Sequence, residues 1–279
     1  MPVCSILQLG LVLLCVLPAQ AQEVIRLEAE EIARFSAMEA VQGAAADGTH
    51  FYAIANAALG RYDRATGRRT GTWSQARTGP IRHLNSCITD PGSARLLCAN
   101  SNFPELPMAS SIEIFDTETM THLESRSFGL TDGSLVWFDR LGKGWIAGFA
   151  HYDNEGGMPG KDHRYTRIVR YDADWTERGG WMLPGAVLDR LAPHSASGGG
   201  IGPDGLLYLT GHDREEMYVL AFPEQGPKLE HVATIDIALQ GQAFAWDRTT
   251  NERIVWGISR PNREVRVFRI PEIPLDRKH

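Results

Sequence analysis

His83, His151 and His212 lie far apart in the chain, in the stretches HLNS, FAHYDN and TGHDRE, each beside an amide or a carboxylate. Three imidazoles brought to one point would hold a divalent metal ion with a coordination position left open for water, which suits hydrolase, lyase or isomerase chemistry. Asp153 and Asp213 follow two of these histidines closely and would act as ligands or as a base. His151, Asp153, His212 and Asp213 are therefore the candidate catalytic set, and His83, His151 and His212 the candidate metal ligands. No HExxH or comparable local motif joins them, so the fold must bring them together.

Two further chemistries fit the polar residues. Asp153, Asp213, Glu215 and Glu216 could supply an acid and a base for glycosidic cleavage, which needs two carboxyl groups ~5 to 9.5 Å apart. Glu215 and Glu216 read better as the solvated tip of a hairpin. Gln42, Asn85, Asn100, Asn102, His194 and Gln242 offer directional hydrogen bonds without fixed charge. Phe103, Trp137, Phe149, Tyr152 and Trp246 add flat faces or, on the plainer reading, apolar core. Together these groups suit a small polar, carbohydrate-derived ligand, bound with turnover; the alternative is a non-catalytic propeller whose rim loops, 100 to 110 and 152 to 166, recognise a ligand or another protein. Ser195 to Gly200, SASGGG, has neither the G-x-S-x-G elbow nor a GK[ST] ending, and its glycines fit a tightly packed inner strand.

The elements that must position these residues form a repeat. LLYLTG and MYVLAF, inside Leu206 to Pro223, read as a hairpin with His212 and Asp213 at its turn. The same unit, an apolar strand, an Asp near a turn, a second strand, a polar turn and a third strand, recurs five times, anchored on Asp47, Asp90, Asp139, Asp204 and Asp247. The anchors stand 43, 49, 65 and 43 residues apart, the spacing of propeller blades. Fourth strands follow as TGTWSQ, HLESRSF, ERGGWML and LEHVATID, while the fifth copy has three strands and EVIRLEA, from Glu23 to Ala29, is expected to complete it. The fold expected is all-β, a five-bladed β-propeller of four-stranded blades over residues 22–279, its last blade closed by the N-terminal strand so that no open edge remains. Insertions in the second and third blades, SNFPELPMAS and YDNEGGMPGKDHRY, fall between second and third strands and should emerge on one face. On that face lie the His-, Asn- and Gln-bearing turns and blade starts; DGT, DPGS and DRLGKG on the other are ordinary turn sequences.

Ile6 to Leu17 is an apolar run followed by Ala19-Gln20-Ala21, a signal peptide over residues 1–21, so the expected location is secreted or periplasmic. No later run reaches the ~18 apolar residues of a membrane span. The net charge of -6, with Lys and Arg scattered, argues against nucleic acid and points to a small-molecule partner. Cys87 and Cys98 fall opposite each other in the hairpin NSCITDPGSARLLCAN, either as a disulfide or as two buried thiols.

HLNS, CANSNFP, PMASSIEIFD, FAHYDN, PHSASGGG, GPDGLLYLTGHD and GQAFAWD together resemble a family of exported bacterial propellers, loosely labelled cycloisomerase- or lactonase-like. The resemblance implies the propeller fold and marks His83, Asn85, Asn102, His151, Asp153, His212 and Asp213 for testing.

Overall fold

The computed structural model describes residues 23–275 except 77, 154, 155 and 241; the expected signal peptide lies outside the described residues. Two strands, β1 (Ile25–Glu28) and β2 (Glu30–Ser36), precede the first blade. That blade is β3 (Gly43–Ala46), β4 (His50–Ala55), β5 (Ala58–Asp63) and β6 (Arg69–Ser74). The second is β7 (His83–Thr89), β8 (Arg95–Ser101), β9 (Ala109–Asp116) and β10 (Thr121–Leu130). The third is β11 (Ser134–Leu141), β12 (Gly144–Ala150), β13 (Arg167–Tyr171) and β14 (Glu177–Trp181), after which one short helix, α1 (Gly185–Leu191), leads onward. The fourth holds β15 (Gly198–Ile201), β16 (Leu207–Thr210), β17 (Glu216–Ala221) and β18 (Glu230–Asp236). The fifth holds β19 (Ala245–Trp246), β20 (Ile254–Ser259) and β21 (Glu264–Arg269), with β2 as its fourth strand.

The ring is thus a five-bladed propeller closed from the N-terminus, but EVIRLEA is not the strand that completes the fifth blade. Residues 25–28 within it form β1, which adds in parallel to β18 as a fifth strand of the fourth blade, Ile25 opposite Ala233 and Glu28 opposite Asp236. The next segment, EEIARFS, is β2 and pairs antiparallel with β21, Glu30 opposite Arg269 and Ser36 opposite Glu264. Glu and Ala are poor strand formers, which hides this segment in the sequence. Its place is secured by Phe35, whose ring stacks on Trp256 and lies 4.9 Å from the Phe51 ring of the first blade.

Inner strands are buried on both faces because neighbouring blades cover them, and outer strands alternate or face solvent, as β10 does along nearly its whole length. Five apolar clusters fill the spaces between successive blades, the one between fifth and first included. Trp137, Phe149 and Trp246 belong to these clusters, so these three of the five aromatic candidates are core. Each fully buried side chain of this size contributes ~1.5 to 3 kcal/mol. Gly199 on β15 leaves room for the Trp137 indole, and a Cβ there would collide with it.

The recurring Asp residues tie turns to strands. Asp47 accepts from the Thr49 and His50 amides, both at 2.7 Å, and from the Tyr52 hydroxyl at 2.5 Å; Asp204 accepts from Tyr208 at 2.6 Å. Asp247 takes the Trp256 indole N–H at 3.2 Å and an Arg64 guanidinium at 2.5 Å, linking fifth and first blades. Cys87 and Cys98 are direct partners across β7 and β8 and form a disulfide. Among the described residues no helix is long and apolar enough to cross a membrane.

Candidate functional site

The turns between second and third strands and the starts of the blades converge on one face around a cavity of about 570 Å³. Its floor and walls take Gln42 and Asn56 from the first blade, His83 and Asn85 from the second, His194 and His212 from the fourth, and Gln242 from the start of the fifth. Gln42, Asn85 and Gln242 are buried around it. The Gln42 amide donates to Asn56 Oδ1 at 2.6 Å, which fixes both side chains. Asn85 donates to the carbonyls of His83 at 3.1 Å and Leu135 at 3.2 Å and so clips the second blade to the third.

Two rim insertions form one wall. Phe103, from the segment after β8, meets Tyr152, from the segment after β12, edge to face with ring centroids 5.1 Å apart, and lies 5.1 Å from the His83 ring. Gly156, at a φ of 78°, gives the Phe103 ring its space, since a Cβ there would strike it. Burial raises the Tyr152 hydroxyl well above the ordinary phenol range, so this wall carries no negative charge.

Asp213, outside the cavity lining, holds two histidines that line it. Its Oδ2 is 2.8 Å from His194 Nδ1 and its Oδ1 is 2.7 Å from His212 Nδ1, while the two imidazoles stack with centroids 4.0 Å apart. A carboxylate accepts only, so each Nδ1 donates; in a neutral imidazole Nε2 is then the lone-pair atom, and neither Nε2 has a protein partner among the described residues. Burial alone would raise the Asp213 carboxyl; the bonds from His212 and His194 outweigh it and hold the group below its ordinary value. The same three side chains can place one donor atom each within 4.8 Å of one another, a set able to hold a metal ion.

Cations complete the rim. Arg82 and Arg260 both line the cavity; Arg82 lies 3.5 Å from Glu105, whereas no carboxylate pairs with Arg260 among the described residues. Burial and the nearby Arg260 charge depress the His83 imidazole to about 4, so it is neutral at physiological pH.

Several candidates stand elsewhere. His83, His151 and His212 do not form the expected metal set: their donor atoms are not among the groups within 4.8 Å of one another. His151 directly follows β12 and is buried, its Nε2 3.2 Å from Asp132, and burial lowers its pKa. Neither ring nitrogen of His151 has a hydrogen-bond partner among the described residues, Asp132 being taken by Lys161, and His151 does not line the funnel. Asp153 accepts from the His163 amide at 2.9 Å and from its Nδ1 at 2.6 Å, within the same insertion and away from the cavity lining. Asn100 lies beneath the cavity, accepting from the His83 amide at 3.1 Å and donating to Ser111 at 3.0 Å. Asn102 lines the cavity but spends both ends of its amide on Pro107 and Ala109, closing its own loop. Glu216 turns away to Arg190 and Tyr218, which removes it from any carboxylate pair in the funnel.

Arg82 and Arg260 were missing from the candidate set, although each occupies a rim position. Arg82 directly precedes His83 at a blade start, and Arg260 stands at a turn between second and third strands.

No protein-family model matches the chain, and no curated protein matches it in sequence, so the resemblance to a bacterial propeller family gains no support there. Solved structures similar to it include a luciferin-regenerating enzyme (TM-score 0.48, 11% identity, covering 82% of this chain and 75% of that one). A hydrazine synthase of Kuenenia stuttgartiensis gives 0.45 at 13% identity, over 80% of this chain and 69% of that one. A chain of a mitotic checkpoint complex gives 0.46 at 8% identity, over 95% and 100%. At these identities no activity passes from any of them to this chain.

Proposed function

We propose that the funnel binds a small polyhydroxylated acid, a sugar acid or a close relative, and that His212 and His194 carry out proton transfer on it. The observation that carries this reading is Asp213 gripping two stacked imidazoles by their Nδ1 atoms, which leaves two basic Nε2 atoms beside the cavity. When one Nε2 takes up a proton, an acid stands beside a base, which suits isomerisation, elimination or hydrolysis, and positioned proton transfer supplies typically 10²- to 10⁴-fold in rate. Arg260, without a carboxylate partner among the described residues, is the group for the substrate's acid. Gln42, Asn56 and Gln242 are the partners for hydroxyls, and the Phe103–Tyr152 wall is the flat face for a sugar ring. The disulfide and the N-terminal apolar run support export to an oxidising compartment, where such an acid would be met outside the cell or in the periplasm.

A second reading keeps the metal and changes its ligands: His194, His212 and Asp213 would hold a divalent ion in place of the set with His83 and His151. The deciding experiment screens D-glucuronate, D-galacturonate and D-gluconate by calorimetry and by proton NMR for product, with metal analysis of the same samples. Binding and turnover without metal, both lost in His212→Ala, support acid–base catalysis. Stoichiometric metal lost in His212→Ala and His194→Ala supports the second reading. Binding without turnover makes the protein a sugar-acid receptor, and no binding of any of the three overturns the assignment.

A further inference from the structure

We propose that the end of the ring opposite the funnel carries a second, separate binding site, one for a small and largely apolar carboxylate. A cavity of about 270 Å³ opens there, between the turns after the first strands, and shares no lining residue with the funnel. Its size is at the lower edge of small-molecule sites, which begin near ~300 Å³. Ile88, Pro91, Phe244 and Trp246 supply its apolar surface.

The polar groups of this cavity are short of acceptors. Asp139, almost fully buried, is already engaged: Oδ1 accepts the Arg140 amide at 2.8 Å, and Oδ2 accepts the Ile201 amide and Arg248 Nη2, each at 2.7 Å. Arg248 comes from the fifth blade and Asp139 from the third, so the pair spans two blades that are not neighbours in the ring. Arg248 Nη2 also donates to the Ile201 carbonyl at 2.8 Å, while its Nε and Nη1 have no protein acceptor among the described residues. Arg140 lies over Trp145, its Cζ 3.6 Å from the ring centroid, and among the described residues its side chain donates from Nη2 alone, toward Asp90 at 3.1 Å. Trp246, whose ring walls the cavity, has a buried Nε1 with no acceptor among the described residues. Two guanidinium groups with spare N–H bonds above an apolar lining call for a ligand with a compact, doubly accepting head and an apolar body. A monocarboxylate meets that description; a sugar, which brings many donors, does not.

Gly200 keeps the space open. A Cβ on it would stand 3.0 Å from Trp246 Cδ1 and 3.1 Å from Asp139 Oδ2, in the gap between the indole and the carboxylate. The sequence reads this end of the molecule as plain turns, because the two arginines belong to different turns and meet only in the ring.

The test titrates the mature, disulfide-bonded protein with benzoate, isovalerate and the uncharged benzamide, following the indole N–H signals by NMR; Trp246→Phe identifies the Trp246 signal. The expected result is a saturable shift of that signal with at least one of the two acids, and at least tenfold weaker binding of benzamide. Gly200→Ala, checked for folding by circular dichroism, should weaken acid binding about tenfold by filling the cavity, and Arg140→Gln should weaken it in the same direction. Binding should persist in His212→Ala, which separates this site from the funnel. No saturable shift with either acid would overturn the proposal, as would equal affinity for benzamide or loss of binding in His212→Ala.

Discussion

His194 and His212 stack with their ring centroids 4.0 Å apart over one shared carboxylate, that of Asp213. The two residues come from different connections, one after α1 and one in the turn between β16 and β17, so only the folded fourth blade makes them a pair. Two stacked imidazoles repel when both are charged, and Asp213 offsets that repulsion while fixing the tautomer of each.

Asp213→Asn should release both rings. The carboxamide cannot accept two N–H bonds with full charge, so His194 and His212 lose their common tautomer, and any proton-transfer activity in the funnel falls by about 10²-fold. Nitrogen-15 NMR of the imidazoles checks this without a substrate: both rings are expected as the Nδ1–H tautomer in the native chain and as mixtures in the variant.

Arg260→Gln separates binding from stability. The side chain is exposed and has no carboxylate partner among the described residues, so thermal unfolding should change by less than ~0.5 kcal/mol. Affinity for a sugar acid should fall about tenfold or more while that for the matching neutral sugar is unchanged, as read by calorimetry. Equal losses for acid and neutral sugar would remove Arg260 from carboxylate recognition.

His83 sets a pH dependence of known sign. Its folded imidazole is depressed to about 4 from an ordinary value of 6.5 by burial and by Arg260, so between these values the unfolded chain binds a proton that the folded chain does not. Stability contributed through this group is therefore complete above about 6.5 and is lost as the pH falls toward about 4. Urea unfolding at pH 7 and pH 5 should show this loss, and His83→Gln should show less of it. An NMR titration should find the His83 ring neutral at pH 5.5.

Arg248→Met tests the pair that spans the ring. Asp139 is buried and Arg248 is its cation at 2.7 Å, so removing the guanidinium leaves an uncompensated carboxylate and should cost about 3 kcal/mol. Burial already holds the Asp139 carboxyl above its ordinary value, with Arg248 pulling the other way, and the variant should push it higher still. Adding Asp139→Asn to Arg248→Met should restore more than half of the loss in denaturant unfolding, because the second change removes the buried charge.

The blade pattern was legible in the sequence because its signals are local: an Asp that caps its own turn, an apolar strand on either side and glycine where an inner strand is crowded. Asp47 and Asp204 behave in this way, each bonded within five residues of itself. The pairing of Cys87 with Cys98 was also within reach, since a hairpin register depends on a short turn alone. What a ring brings together across blades has no such signal. β2 replaces β1 in the fifth blade because Phe35 finds the Trp256 and Phe51 rings, an interblade contact that strand propensity does not encode. His151, equivalent in its blade to His212, turns under its own insertion toward Asp132, while His194 takes the place beside His212 that the expected convergence gives to His83 and His151. Turn chemistry is decided within a few residues, but convergence depends on the angle at which each blade packs on the next, and that angle is set by the five apolar layers between them.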